Sequence, residues 1–295
     1  MNARPLRLIP PVCLVVFSLL LVADAVAQSD DPFEVLVASD ADRLRAESSA
    51  VLRELFEQAG DFEGLASTPF ELLERVDAVL PSTAALEEMM HRSLTAQLQS
   101  STLAAARAFW ESGAGRRVLW LDGESTTASG RSAEARSARH VMGRASPERL
   151  ARLRELDAAI LETRTAAESA ARWMPLVQAT AERVGAALEE PAEWAQSPDE
   201  IHAWIHGQFR EEVFRALVFR SSRLDAGDLE EFVTFARSGE GATFFAARRV
   251  ARLEAAERIT KDLLKPLGAG LARELGDLPN DDEIEGEVER EFEGT

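Results

Sequence analysis

The chain has 295 residues, 46% hydrophobic and 28% charged, the balance of a globular protein with ample surface to bury. Its formal charge of −18 and isoelectric point near 4.8 argue against nucleic acid, whose phosphates demand a basic face, and against an anionic membrane surface. The single cysteine, Cys13, falls in the N-terminal apolar run, so a chain cut after Ala27 would carry no thiol for disulfides, nucleophilic catalysis or metal ligation.

Arg4 and Arg7 precede an apolar run from Val12 to Val22, and Ala25-Val26-Ala27 offers a small-x-small cleavage site. That layout predicts a secretory signal peptide over 1–27, cut after Ala27, and a periplasmic or secreted destination. The apolar run is short for a spanning helix, so no membrane span is expected after cleavage. Gln28 to Phe33 reads as a polar leader. From Ser39, Leu44, Val51, Leu55 and Phe56 recur at helical spacing until Gly60 and Gly64. Thr68-Pro69-Phe70-Glu71 is a capping box with proline at the first helical position, opening a helix through Leu72, Leu73, Val76, Val79 and Leu80. Pro81 ends it, and Ser82 or Thr83 caps the next, whose apolar stripe is Leu86, Met89, Met90, Leu94 and Leu98.

Phe109-Trp110-Glu111-Ser112-Gly113-Ala114-Gly115 then recurs as Phe235-Ala236-Arg237-Ser238-Gly239-Glu240-Gly241, and superposing the phenylalanines also pairs Leu103 with Leu229. Each copy predicts a helix, a tight turn and a second helix. Gly113 and Gly239 are expected in the left-handed region at a helix C-terminus, while Gly115 and Gly241 let the two helices approach closely. Phe109 and Phe235 would pack against the following helix. The chain therefore divides into a first helical half, 28–121, and a second, 147–276. Between them, 122–146 is rich in Ser, Gly and Arg and reads as a linker or loop. Its Arg131, Arg136, Arg139 and Arg144 form a local basic patch, expected to be solvated or paired with acidic surface elsewhere.

Ser146-Pro147-Glu148 opens a long helix with a heptad-like seam through Leu153, Leu156, Ile160, Thr163, Ala167, Ala170 and Met174, suited to intramolecular packing or to a homo-oligomer interface. Pro175 is expected to kink or break it. Ser197-Pro198-Asp199-Glu200 opens a helix through Trp204, Phe209, Val213 and Leu217. Beyond Gly241, Leu253, Ala256, Thr260 and Leu263 form a buried face, with Arg248, Arg249 and Arg252 expected on the solvated side. From Asp277 to Thr295 nine acidic residues face Arg290 alone, the composition of a disordered acidic tail. No alternating β-branched run occurs, so the fold class is all-α: a multi-helix bundle built from two related helical repeats.

Leu224-Asp225-Ala226-Gly227-Asp228-Leu229, followed by Phe235 to Gly241, resembles a bacterial envelope family of unknown function, the DUF "twenty-fifty-nine" family. Its pattern runs approximately Leu-Thr-x-x-Glu-Leu, then Phe-Tyr-x-Ser-Pro-x-Gly. Ala236 and Trp110 replace the family's tyrosine, and Gly239 and Gly113 replace its proline. The resemblance implies an exported helical protein and supplies no catalytic residues.

Chemistry-bearing patterns are sparse. His202 and His206 lie one helical turn apart, a zinc-compatible spacing. Ala203 stands where a His-Glu-x-x-His hydrolase needs its general base, and no third ligand is identifiable, so they are weak candidates and neither metal nor cofactor is expected. His91 and His140 are isolated, and no Gly-Lys-Ser/Thr phosphate loop occurs. The reading is a non-catalytic, exported interaction or scaffolding module that binds an envelope protein. The alternatives are a carrier of a hydrophobic small molecule between the halves and, less favoured, a metal-dependent hydrolase at His202 and His206.

Overall fold

The computed structural model describes residues 31–60, 80–183 and 198–276. Ten α-helices occur among the described residues: α1 (Pro32–Gly60), α2 (Thr83–Gln97), α3 (Ser100–Glu111), α4 (Gly113–Thr126), α5 (Ala128–Arg144), α6 (Pro147–Ile160), α7 (Glu162–Arg183), α8 (Pro198–Arg220), α9 (Ala226–Arg237) and α10 (Gly239–Gly276). A 3₁₀ turn, Ser221–Arg223, follows α8, and no strand is present among the described residues. The all-α multi-helix class is therefore as expected. The signal peptide, the Thr68 capping box and the acidic tail lie outside the described residues.

Local side-chain chemistry sets most helix starts. Ser82, Ser146 and Asp225 each cap a helix by accepting a hydrogen bond from the backbone N–H three residues on, at 3.2, 3.2 and 2.8 Å. Of the expected polar leader, Asp31 to Phe33 instead start α1, and Gln28 to Asp30 lie outside the described residues. Asp31 accepts from the Phe33 N–H at 2.9 Å, Pro32 occupies the first turn, and Phe33 is fully buried. Asp31-Pro32-Phe33-Glu34 carries the same cap-and-proline signal as Ser146-Pro147-Glu148.

The repeated motif forms two equivalent corners. Ser112 and Ser238 are each the C-cap of one helix and the N-cap of the next, in extended conformation at φ −69°, ψ 166° and φ −65°, ψ 160°. Their hydroxyls accept from the N–H groups of Gly115 and Gly241 at 3.2 and 3.0 Å. A Cβ built on Gly115 would overlap the Phe109 carbonyl oxygen, and one on Gly241 the Phe235 carbonyl oxygen. The expected close approach at the second glycine is thus present. The expected left-handed first glycine is not. Gly113 and Gly239 are right-handed first residues of the new helix with open space around them, because serine makes the turn.

A third corner of the same kind joins α4 to α5. Thr127, at φ −71°, ψ 156°, accepts from the Gly130 N–H at 3.0 Å, and a Cβ on Gly130 would overlap the Glu124 carbonyl oxygen. The geometry belongs to Ser/Thr-x-x-Gly, not to Ser-Gly-x-Gly. It also corrects the expected linker: residues 122–146 complete α4, turn at Thr127 and form α5, with Ala138 buried and Val141 and Met142 packed on the core.

Two further corrections concern 147–183. The long helix breaks at Leu161, which takes a left-handed conformation (φ 60°, ψ 26°) as C-cap of α6. Conversely, α7 continues through Pro175.

The first two corners meet face to face. Phe109 stacks on Phe235 with ring centroids 4.3 Å apart and an interplanar angle of 8°, and on Phe232 at 5.5 Å. Trp110, Phe244 and Phe245 close an aromatic plate around them. α3 packs on α10 while α9 packs on α4, so helices flanking each corner grip those of the other. α1 and α2 lie beside α10, and α7, α8 and α6 complete the body. No described helix is long and apolar enough to cross a membrane.

The two glycines of a corner should respond oppositely. Gly241→Ala forces Cβ into the Phe235 carbonyl and should destabilise by about 1–3 kcal/mol. Gly239→Ala meets nothing within 4 Å and should stabilise by about 0.4–1 kcal/mol. Urea unfolding of both variants checks the pair; equal effects would assign the turn to the wrong glycine.

Candidate functional site

Five helices deliver charged side chains to one buried point. α1 contributes Asp40 and Arg43, α4 Asp122, α7 Glu162, α8 Arg220, and α10 Arg248 and Arg252. Arg43 spans Asp122 and Glu162, the latter at 3.3 Å. Arg220 lies 3.5 Å from Asp122 and 3.7 Å from Glu162. Arg252 reaches the second Glu162 oxygen at 3.4 Å. Arg248 holds Asp40 by two bonds of 2.6 Å, the fork geometry that suits guanidinium to carboxylate. Asp40 is 2% exposed, and Ser39 donates to Asp122 at 3.2 Å.

Glu162 owes its place to the break at Leu161. A leucine in the left-handed region is strained, and the surrounding contacts must hold it there. Asp157 does so by accepting from the Thr163 N–H at 3.0 Å and from its hydroxyl at 2.8 Å, so α7 begins with Glu162 aimed inward.

Burial alone would raise the Asp122 carboxyl, but Arg43, Arg220 and Arg248 outweigh it and hold it well below the usual range. The same contest lowers Glu162 from 4.5 to about 2, through Arg252, Arg220 and Arg43. Burial would lower Arg43 and Arg248, yet their carboxylate neighbours push both further up. Glu47 goes the other way: burial and the nearby Glu162 raise it against the arginines.

A cavity of about 50 Å³ adjoins the cluster, room for a few waters. Arg43, Asp122, Glu162 and Arg220 line it together with Trp110, Leu119 and Phe232. The Trp110 indole N–H is buried with no partner. The arrangement fixes charge, and the Ser39 hydroxyl donates to a carboxylate, Asp122, that is held well below the usual range.

The outer surface offers two other features. Trp120 on α4 is 60% exposed, with the Arg223 guanidinium 4.8 Å above its ring and Arg223 also paired to Glu124. Beside it Arg117 bridges Asp228 at 2.6 Å and Asp225 at 3.5 Å. On α5, Arg136, Arg139, His140 and Arg144 are exposed.

Of the sequence candidates, Phe109, Ser112, Gly113, Gly115, Phe235, Ser238, Gly239 and Gly241 come together as structure at the corners. His202 and His206 fall on α8, with side chains outside the described residues. His91 is exposed and packs edge-on against Phe33 at 5.9 Å. Among the described residues no group of three metal-ligating side chains converges. Arg248 and Arg252, expected on the solvated side, are the main correction: they share a face of α10 one turn apart and point into the cluster, where carboxylates from α1 and α7 compensate them. That i, i+4 arginine pair beside buried Ala251 and Ala255 was the available signal. Comparison with protein-family models, curated proteins and solved structures finds no match for this chain.

Removing one partner of this cluster strands a buried charge. Arg248→Met, which leaves Asp40 unpaired, should cost about 3–5 kcal/mol. Glu162 has a depressed value, so its stabilisation is full above about pH 4.5 and is lost as pH falls through about 2; Asp122 is lowered too, and its contribution is lost in the same direction. Acid unfolding should therefore flatten in Glu162→Gln, while Glu47→Gln, relieving a raised group, should gain stability at neutral pH. Urea midpoints between pH 2 and 7 test both signs.

Proposed function

We propose that this is an exported, non-catalytic helical protein of the bacterial envelope that binds a protein partner through the α4 surface around Trp120. The observation that carries the reading is Trp120 itself, overlaid by Arg223 and, at 60%, the one exposed large hydrophobic side chain among the described residues. Tryptophan and arginine dominate the energetic centres of protein interfaces, because a flat ring and a planar cation bury much surface with few rotors lost. The charge cluster supports the non-catalytic part. Asp122 and Glu162 are held ionised and Arg43 and Arg248 charged, far from the near-neutral values that proton transfer uses. The carrier alternative draws no support from the cavity beside the cluster, whose volume of about 50 Å³ is far below the roughly 300–1,000 Å³ of ligand pockets.

The resemblance to the DUF "twenty-fifty-nine" family fits the corner geometry. The family's serine and glycine match Ser238 and Gly241, the cap and the close-approach position. Its proline would stand at Gly239, the first helical residue, where proline is well suited. Membership and the two-repeat origin of the halves remain part of the proposal.

The test is in-cell crosslinking of tagged protein, comparing the native chain with Trp120→Ala. The same envelope protein should be recovered repeatedly with the native chain and at least fivefold less with the variant. Melting temperature should be unchanged, because the side chain is largely in water. Equal recovery from both would remove Trp120 from the interface, and no specific recovery would remove the partner.

A further inference from the structure

The exposed face of α5 is cationic on a chain of net charge −18. Its outward positions are Ser129, Ser132, Ala135, Arg136, Arg139, His140, Gly143 and Arg144, at spacings of one, three and four that keep them on one side of the helix. No carboxylate is among them. Arg136 and Arg144 have no ion pair among the described residues, and Arg139 lies near Glu212. Several other surface arginines are met, Arg117 by Asp228, Arg152 by Glu155 and Glu230, Arg223 by Glu124, whereas exposed arginines without an ion pair outside α5, such as Arg116 and Arg154, do not gather on one helix face. With 51 acidic against 33 basic side chains, a cationic stripe left unmatched marks a surface awaiting an acidic occupant.

We propose that the exposed face of α5 is the docking site for this chain's own acidic segment 277–295, closing an intramolecular electrostatic clasp. The segment's nine carboxylates far outnumber its one cation, Arg290, and Ile284, Val288 and Phe292 recur every fourth position among them. The carboxylates complement the guanidinium groups, and the apolar residues suit the aliphatic stems of the same arginines. Reach is sufficient. The segment follows Gly276 at the end of α10, and α10 packs on α7, α7 on α8, and α8 on α5. Three helix spacings of about 8–10 Å amount to on the order of 30 Å. An extended segment of this length spans on the order of 65 Å. Tethering also sets the effective concentration in the millimolar range, enough for weak charge pairs to hold the segment in place.

A photoreactive benzoylphenylalanine at Phe292 of the full chain tests this directly. After irradiation, peptide mapping should place the adducts on 128–144. Their yield should fall at least fivefold in 1 M NaCl, where screening extends over about 3 Å. It should fall as much in a variant combining Arg136→Glu, Arg139→Glu and Arg144→Glu. Circular dichroism should show that variant as helical as the native chain; if it is not, the same positions changed to Gln give the reading. Mixing isotopically labelled and unlabelled chains should yield adducts within one chain only. Adducts centred on other helices, or a yield indifferent to salt and to these substitutions, would overturn the proposal. Mixed-isotope adducts would also overturn it, assigning the stripe to a second copy.

Discussion

Glu162 is where the fold closes on itself. It receives Arg43 from α1 and Arg252 from α10 and lies beside Arg220 from α8, so three helices distant in sequence are held to the start of α7. Burying these charges is costly, and their mutual attraction does little more than repay the lost hydration. Apolar side chains of equal volume would pack with similar stability. What they would not supply is direction. A guanidinium accepts a carboxylate along few lines of approach, so a helix shifted by one turn leaves a charge unpaired in a poor dielectric. The cluster thus discriminates against wrong registers of α1, α7, α8 and α10, which is a different service from adding to the total free energy.

The aromatic plate and the corners bear on the same problem from the other side of the cavity. A helix corner whose second glycine lies against the preceding carbonyl brings the two axes closer than any other residue permits. That closeness lets Phe109 and Phe235 stack at 4.3 Å instead of being kept apart by their own backbones. The stacked rings then fix how α3 and α4 lie against α9 and α10. Trp110 and Phe232 line the cavity together with Arg43 and Asp122, so apolar and ionic constraints meet around about 50 Å³.

Much of this was legible in the chain, and the parts that were not share a cause. Caps are local, so Ser82, Ser146 and Asp225 could be read from a few residues each. The paired phenylalanines and glycines were visible because they repeat, although the serine, not the first glycine, turned out to make the turn. Residues 122–146 read as a loop because Ser, Gly and Arg dominate them; the helix needs only Ala138, Val141 and Met142 facing inward, and Thr127 with Gly130 to start it. Arg248 and Arg252 read as solvated because an arginine's burial is decided by its partners, and Asp40 and Glu162 are far away in sequence. Leu161 gave no sign at all. Nothing in leucine favours the left-handed region; Asp157 and Thr163 hold it there, and they do so to present Glu162 to arginines on other helices.

The disposition of arginine links the interior to the surface. Arg43, Arg220, Arg248 and Arg252 are spent on buried carboxylates, so they do nothing to offset the acidic exterior. The net charge of −18 must therefore be carried by the surface and by segments beyond the helical body, and 277–295 alone holds a net eight of those negative charges. A uniformly acidic exterior would simply keep copies apart. The outward face of α5 gathers arginines with no carboxylate among them, and elsewhere the outward indole of Trp120 is overlaid by a cation already satisfied by Glu124. The two features divide the work that a surface can do: the first attracts by charge and weakens with salt, while the second offers area and persists in it. A helical body with both can hold an acidic segment of its own without giving up the face that a partner would need.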